Sequence, residues 1–249
     1  MRPGLFVSLI LAFALSACGS GGDTPPPSPT PATSAEGLWN GTTDTGRSSA
    51  GRVLGDGTSW VLYSLVGNPN VIAGLVQGTG SSQTGSFTSS NTRDFSLEGR
   101  GVLDATLVGS YVMKQSLSGT VTYVLGGQTT FNSTYNADYD LIPDINLVVG
   151  TYTGSTATTS GTEIVTVTLS SPSSITGSSA SGCNFTGSFA PRSSGNVYDV
   201  SVTFAGGVCS NGTSTVTGVA FFDAATKRLY SAALNNTRTN GFIYLGTKP

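Results

Sequence analysis

Apolar and polar side chains alternate over many short stretches between residue 37 and the C-terminus. In residues 163–170, for example, Val165, Val167 and Leu169 alternate with threonines. A period of two is typical of an antiparallel strand that is buried on one face and solvated on the other. The same pattern puts two further sets of side chains on shared, buried faces: Leu117, Val121, Tyr123 and Leu125, and Tyr198, Val200, Val202 and Phe204.

Helical periodicity is missing from this part of the sequence. No stretch of about 12 residues repeats apolar positions with a helical period, and residues 223–227 are only a weak helical candidate. Glycine, serine and asparagine separate the alternating stretches and mark turns between strands. The sequence therefore predicts an all-β protein built from antiparallel strands.

The predicted strands fall into two similar groups. The segment GLWNGTT from Gly37 resembles GTYTGST from Gly150, and two later pairs follow in the same order: GTSWV with GTEIV, and TGSF twice. Each group offers about eight short strands, enough for a small barrel or a two-sheet sandwich. We predict two tandem β units, 37–147 and 148–249. Chance matches are the alternative, because glycine, serine and threonine are so common in this chain.

The first residues have the parts of a secretory signal peptide. Arg2 supplies a positive charge, a nearly unbroken apolar run covers residues 5–14, and the small residues Ser16 and Ala17 precede Cys18. The apolar run is too short to span a membrane, which needs about 20 residues. Residues 1–17 are therefore predicted to direct export.

The ending Leu15-Ser16-Ala17-Cys18 resembles the lipobox of bacterial lipoproteins. This resemblance implies cleavage before Cys18, a diacylglyceryl group on its thiol, and a fatty acyl chain such as palmitate on its new amino group. Gly19 follows where the inner-membrane members of the family tend to carry Asp, which implies an outer-membrane location in the cell envelope. The alternative is an ordinary cleaved signal in which Cys18 has no role.

Residues 18–36 contain no apolar cluster but carry five prolines between positions 25 and 31. Such a composition favours an extended, semi-rigid backbone. In polyproline geometry it reaches about 50 Å at about 3.1 Å per residue. We interpret this segment as a tether between the lipidated cysteine and the β units.

The start of the first β unit, Gly37-Leu38-Trp39, resembles the Gly-x-Trp signature of lipocalins. In that family the tryptophan closes one end of a barrel. The resemblance implies a carrier of a small apolar ligand, although a unit of this length is shorter than a lipocalin barrel.

Composition excludes some classes of function. The net charge is −2, charged residues make up 10% of the chain, and basic residues form no stripe, which excludes a nucleic-acid binder. With Cys18 lipidated, Cys183 and Cys209 remain, and two cysteines in an oxidising compartment predict one disulfide.

One acidic cluster is a weak candidate for binding a metal. Asp138, Asp140 and Asp144 offer oxygen ligands of the kind calcium takes, but the glycine and late glutamate of a known calcium loop are missing. A solvated linker between the β units is the favoured interpretation. No cofactor is predicted.

The sequence also gives little support for a catalytic function. The chain has no histidine and no Gly-x-Ser-x-Gly elbow, so the usual base for a serine or cysteine nucleophile is missing. The leading hypothesis is a non-enzymatic envelope lipoprotein that binds a host protein, another envelope protein or a glycan. A lipocalin-like carrier is the alternative, and a carboxylate-based envelope hydrolase is the third.

Overall fold

The computed structural model of the chain describes residues 34–158 and 160–249. The first half of this region has nine strands: β1 (Gly37–Thr43), β2 (Ser48–Val53), β3 (Thr58–Leu65), β4 (Asn68–Thr79), β5 (Ser81–Gln83), β6 (Ser86–Ser96), β7 (Gly101–Val112), β8 (Ser116–Tyr123) and β9 (Gln128–Asn136). The second half has eight: β10 (Gly150–Thr158), β11 (Gly161–Ser170), β12 (Ser174–Ser179), β13 (Asn184–Pro191), β14 (Tyr198–Phe204), β15 (Thr215–Asp223), β16 (Arg228–Leu234) and β17 (Gly241–Thr247). The predicted all-β class is confirmed.

Both halves close into eight-stranded antiparallel barrels. In the first barrel β1 pairs with both β2 and β9, and β4 pairs directly with β6. The short β5 pairs with β6 as a side hairpin and is not part of the ring. In the second barrel β10 to β17 follow one another around the ring, and β17 pairs back with β10. Closure pairs the edges of each sheet, which a sandwich would leave open.

The connection between the barrels contains the only helices in the described residues. A 3₁₀ helix covers Ala137–Asp140, and α1 covers Ile145–Val148. Both are single turns, capped by the side chains of Asn136 and Asp144. Within residues 34–158 and 160–249 no helix has the length and apolar character needed to cross a membrane. Residues 224–227, at the weak helical candidate, form the turn between β15 and β16.

The alternating apolar positions fill the barrel interiors, as the pattern predicts. Val165, Val167 and Leu169 of β11 are all buried in the core of the second barrel. The predicted face of β8 is correct for Leu117 and Val121, but the assignment of Leu125 is wrong. This residue is 88% exposed because β8 ends at Tyr123 and Leu125 lies in the following turn.

The first landmark of the sequence repeat has a structural counterpart in both barrels. Trp39 of β1 donates a hydrogen bond to the carbonyl four residues before it, and Tyr152 of β10 does the same. Gly41 and Gly154 lie two positions later, where a Cβ would collide with the backbone of the last strand of each barrel. The motif Gly-x-aromatic-x-Gly therefore marks the strand that starts each barrel.

The later landmarks do not occupy equivalent positions. GTSWV leads into β3, the third strand of the first barrel, whereas GTEIV leads into β11, the second strand of the second barrel. TGSF likewise leads into the fifth strand of one ring, β6, and lies within the fourth strand of the other, β13. Chance is sufficient for these matches, because the same turn residues recur throughout the chain.

The two barrels pack side by side within one compact unit. Their outer faces share an apolar cluster whose buried members include Leu38, Trp60, Leu75, Phe95, Val219, Ala232 and Ile243. Polar contacts join the rim of this interface. Arg93 donates to the carbonyl oxygens of Thr237 and Arg238, and Arg238 donates to that of Gln77 at 2.7 Å.

The chain enters the first barrel through a fixed segment. Ala35 is fully buried, and its amide donates to the hydroxyl of Ser82. The Glu36 carboxylate accepts hydrogen bonds from Tyr139, in the connection between the barrels, and from Ser194, in the second half of the chain. The N-terminal side of β1 is thereby attached to both barrels.

Candidate functional site

The first barrel has one closed end and one polar end. At the closed end, Trp39 is 2% exposed, its Nε1 donates to the Ala35 carbonyl at 2.9 Å, and its ring packs edge-on against Tyr135. The opposite end is formed by the turns β1–β2, β3–β4, β6–β7 and β8–β9. We call this opposite end the mouth of the first barrel.

A buried carboxylate lies just inside the mouth. Asp94 of β6 is 3% exposed, and both of its oxygens accept a tyrosine hydroxyl. Tyr63 of β3 donates to Oδ1 at 2.8 Å, and Tyr123 of β8 donates to Oδ2 at 2.9 Å. β6 contains a β-bulge between Ser89 and Thr92. The bulge shifts which residues of the strand face the barrel interior, and Asp94 is therefore one of those that point inward.

Two arginines flank this cluster. Arg47 forms a 2.7 Å ion pair with Glu98 and donates to the Ser64 carbonyl at 2.9 Å. Its guanidinium lies 5.3 Å from the centre of the Tyr63 ring. Arg100 lies 5.4 Å from the centre of the Tyr123 ring. Cations over these ring faces hold both tyrosines in the orientation that reaches Asp94.

Burial determines the electrostatics of the cluster. Loss of solvation raises the pKa of Asp94 above its ordinary value, although the two tyrosine donors and the Arg100 and Arg47 charges oppose the shift. Burial, together with the charge and hydrogen bond of Asp94, raises the pKa of Tyr123 to about 12. The same causes raise the pKa of Tyr63 further. Both tyrosines therefore remain protonated donors at neutral pH.

Apolar side chains project from the turns around the mouth. Leu125 and Val124 of the β8–β9 turn are 88% and 72% exposed, and Val66 of the β3–β4 turn is 54% exposed. Exposed apolar side chains beside tyrosine and arginine form the composition that is enriched in protein–protein interfaces. The mouth therefore combines an ordered polar centre with an apolar margin.

Neither barrel interior is large enough for a lipid. The cavity of the first barrel, which extends from the mouth toward Trp39, has a volume of about 160 Å³. That of the second barrel is about 70 Å³. Sites for drug-sized ligands are about 300–1,000 Å³, whereas a cavity of about 150 Å³ holds a molecule the size of benzene. The side chains of the cores fill the space that a lipocalin keeps open.

The two carboxylates of the mouth are engaged by neighbouring side chains. Both Asp94 oxygens already accept tyrosine hydroxyls, and Glu98 is held by Arg47. A glycosidase needs one carboxyl group free to protonate the leaving group and a second free to act as nucleophile or base. The mouth therefore presents hydrogen-bonding groups and charged side chains in fixed positions.

The predicted disulfide is present at the corresponding end of the second barrel. Cys183 and Cys209 are bonded, and both are buried. The bond joins the β12–β13 turn to the β14–β15 connection. It thereby fixes two of the loops that surround this end of the barrel.

The three aspartates of the weak metal candidate have different surroundings and do not form one cluster. Asp140 accepts from Lys114 at 2.7 Å and from Tyr135 at 2.9 Å, and these partners lower its pKa. Asp144 caps α1, and Asp138 lies on the exposed 3₁₀ turn. In the part of the chain that the structure describes, no three such side chains come together as a metal site. Cys18 lies outside the described residues.

Sequence reasoning missed the mouth cluster entirely. Asp94 is 31 residues from Tyr63 and 29 from Tyr123, so only closure of the ring brings them together. The one available signal is Asp94 itself, a charged residue in the middle of a strand. Its neighbour Arg93 points out of the barrel. Because the bulge changes the alternation of inward and outward positions, the sequence alone does not show which of the two residues faces inward.

Comparisons with known proteins find similarity only among solved structures. No protein-family model matches the chain, and no curated protein matches it. A Bacteroides fragilis protein proposed to be an outer membrane protein has 18% identity and a TM-score of 0.26, over 86% of this chain and 96% of that one.

Two transferrin-binding B proteins are also similar. The protein from Neisseria meningitidis has 9% identity and a TM-score of 0.33, over 82% of this chain and 66% of that one. The protein from Haemophilus parasuis has 10% identity and a TM-score of 0.28, over 80% and 64%. The chain thus spans just under two thirds of these two proteins. Similarities this weak transfer no function, so the function is argued from the residues of this chain.

Proposed function

We propose that this chain is a lipid-anchored protein of the bacterial cell envelope, held at the outer membrane through Cys18, that binds a protein partner at the mouth of its first barrel without catalysing a reaction. The single observation that carries the proposal is the ordered cluster of Asp94, Tyr63 and Tyr123 at the mouth. The lipobox-like ending at Cys18 supports the location. A diacylglyceryl group and a further acyl chain are enough for stable anchoring.

The chemistry of the mouth favours a protein as the partner. Tyrosine and arginine are the side chains that most often dominate binding energy at interfaces, particularly where neighbouring contacts exclude water. At the mouth, Arg47 and Arg100 lie over tyrosine rings, and the exposed side chains of Val124 and Leu125 provide apolar contact area. These groups are already ordered, so binding loses little conformational entropy.

A second candidate function is a carrier of a small apolar molecule in the first barrel. The observation in its favour is the cavity of about 160 Å³ behind the mouth, whose inner walls are apolar. Its size limits the cargo to a molecule about as large as benzene. A carrier would yield such a compound, in amounts comparable to the protein, when the purified protein is extracted and analysed by mass spectrometry.

Photo-crosslinking in intact cells tests the proposed function. A photoreactive amino acid replaces Leu125 at the mouth in one strain and Met113 at the closed end in another. Both positions lie in exposed turns, at 88% and 48% exposure, and they flank the same strand, β8. We expect illumination to produce one discrete protein adduct from position 125 and none from position 113.

Three results would contradict the proposal. Adducts of equal intensity from both positions would show contact without specificity. The absence of an adduct from position 125 in the natural host would remove the mouth as a protein-binding site. An adduct that survives Arg100→Ala and Arg47→Ala together would show that the charged groups of the mouth take no part.

A further inference from the structure

An open cleft of about 490 Å³ lies between the outer faces of the two barrels. It lies outside the mouth, although Tyr63 contributes to the lining of both, and its walls come mainly from β1 to β4 of the first barrel on one side and from β15 and β16 on the other. The lining mixes apolar side chains with polar, uncharged ones, and Asn40, Ser48 and Asn136 are among the polar members. The volume is in the range of sites that hold small molecules.

The cationic side chain in this cleft has no ion-pair partner among the described residues. Arg52 of β2 is 7% exposed, and none of the ion pairs among the described residues includes it. Its Nε is buried without a hydrogen-bond partner in that same part of the chain. Burial lowers the pKa of Arg52 to about 10, so the guanidinium remains cationic at neutral pH.

The position of the guanidinium limits how a ligand can approach it. The Phe221 ring covers one face, with Cζ 4.0 Å from the ring centre. Because Nε is itself buried, the two Nη groups, which make no hydrogen bond to any described residue, remain for in-plane hydrogen bonds with a ligand in the cleft. A carboxylate matches this edge with two parallel hydrogen bonds, and a buried cation is costly until such a partner is present.

The other two charged side chains in the cleft are carboxylates, and they disfavour a ligand that carries more than one negative charge. Asp138 lies at the rim, and Asp223 accepts hydrogen bonds from the backbone and side chain of its own turn. The two carboxylates repel a dianion such as phosphate more strongly than a ligand that carries a single carboxylate. They accept hydrogen bonds from hydroxyl groups, as the asparagine side chains also do.

We propose that the cleft between the barrels binds a carboxylate-bearing sugar of the uronic acid class, with the carboxylate on Arg52 and the hydroxyl groups on the surrounding polar walls. The Tyr230 and Phe221 rings provide apolar surface on one side of the cleft. A single carboxylate pairs with the single cation. The site takes a different ligand from the one proposed for the mouth, although Tyr63 is part of both linings.

Ligand-observed NMR on the purified protein tests the proposal with three probes of one ring size: glucuronate, glucose and glucose 6-phosphate. We expect glucuronate to bind at least about tenfold more tightly than the other two, because a charge-assisted hydrogen-bond pair contributes this much or more. Arg52→Met is expected to weaken glucuronate binding by about the same factor. Lys114→Met removes a positive charge from an exposed turn that lines neither the cleft nor the mouth, and it should leave glucuronate binding unchanged.

Several outcomes would overturn the inference. One is equal binding of glucuronate and glucose by the unmodified chain, a comparison that needs no variant. Another is unchanged glucuronate binding in folded Arg52→Met, and a third is equal loss in Lys114→Met. If Arg52→Met does not fold, Ala50→Trp provides the test instead, because Ala50 lines the cleft and a large ring there fills it. Persistent glucuronate binding in folded Ala50→Trp would contradict the site.

Discussion

Tyr63→Phe removes the hydroxyl that donates to the carboxylate at the mouth and that also has a hydrogen bond with Ser96. The hydroxyl donates to Asp94 Oδ1 at 2.8 Å, and Asp94 is 3% exposed, so water cannot replace the lost donor without entering the barrel. A hydrogen bond to a charged group contributes about 1.5–3 kcal/mol, and a neutral one about 0.5–1.5 kcal/mol. We expect Tyr63→Phe to lower the free energy of unfolding by about 2 kcal/mol at neutral pH.

The pH dependence of this loss distinguishes a charged acceptor from a neutral one. The pKa of Asp94 is raised in the folded protein, so its contribution to stability is fully present below the unfolded pKa and decreases as pH rises through the folded value. Removing a donor raises that folded pKa further. The variant therefore loses more stability than the unmodified chain as pH rises, and the difference between them shrinks in acid.

Urea unfolding at several pH values, followed by circular dichroism, measures the difference. Tyr230→Phe is the matched control, because its hydroxyl makes no hydrogen bond to any described residue, and it should change stability by less than about 0.5 kcal/mol. The reasoning is refuted if Tyr63→Phe costs no more than Tyr230→Phe. It is also refuted if the cost is the same in acid as at neutral pH.

Two further predictions concern the cysteines. Replacing both Cys183 and Cys209 by alanine releases a loop of 26 positions, and loop-closure entropy gives a loss of about 3 kcal/mol, or about 10 °C in melting temperature. A fall of less than about 3 °C in calorimetry would contradict a stabilising role for the bond. Cys18→Ser should move the protein from the membrane pellet to the soluble fraction or leave it unprocessed, and unchanged pelleting in the variant would contradict anchoring through Cys18.

Local patterns predict the strands well because burial on one face of a strand leaves a direct mark on the sequence. Val165, Val167 and Leu169 are assigned correctly for this reason. Leu125 shows where the pattern fails. It continues the alternation of β8 in sequence, but the two glycines that follow turn the chain, and the turn begins before the alternation ends.

Ring closure and barrel packing leave no pattern in the sequence that is comparable to the alternation of apolar and polar residues in a strand. Strand alternation is the same in a barrel and in a sandwich, so the pattern leaves the choice open. Arg52 shows the same limit at the interface. Its place on the outer face of β2 predicts solvent exposure, and only the presence of Phe221 on the second barrel buries it.

The attachment of Glu36 to both barrels has a mechanical consequence. A protein held by its N-terminal side and pulled by a bound partner carries the load through residues 34–36 into β1. The Glu36 carboxylate divides that load, because Tyr139 and Ser194 connect it to the linker and to the second half of the chain. In a chain anchored through Cys18, as proposed above, pulling force therefore passes to both barrels, instead of separating β1 from the first barrel one hydrogen bond at a time.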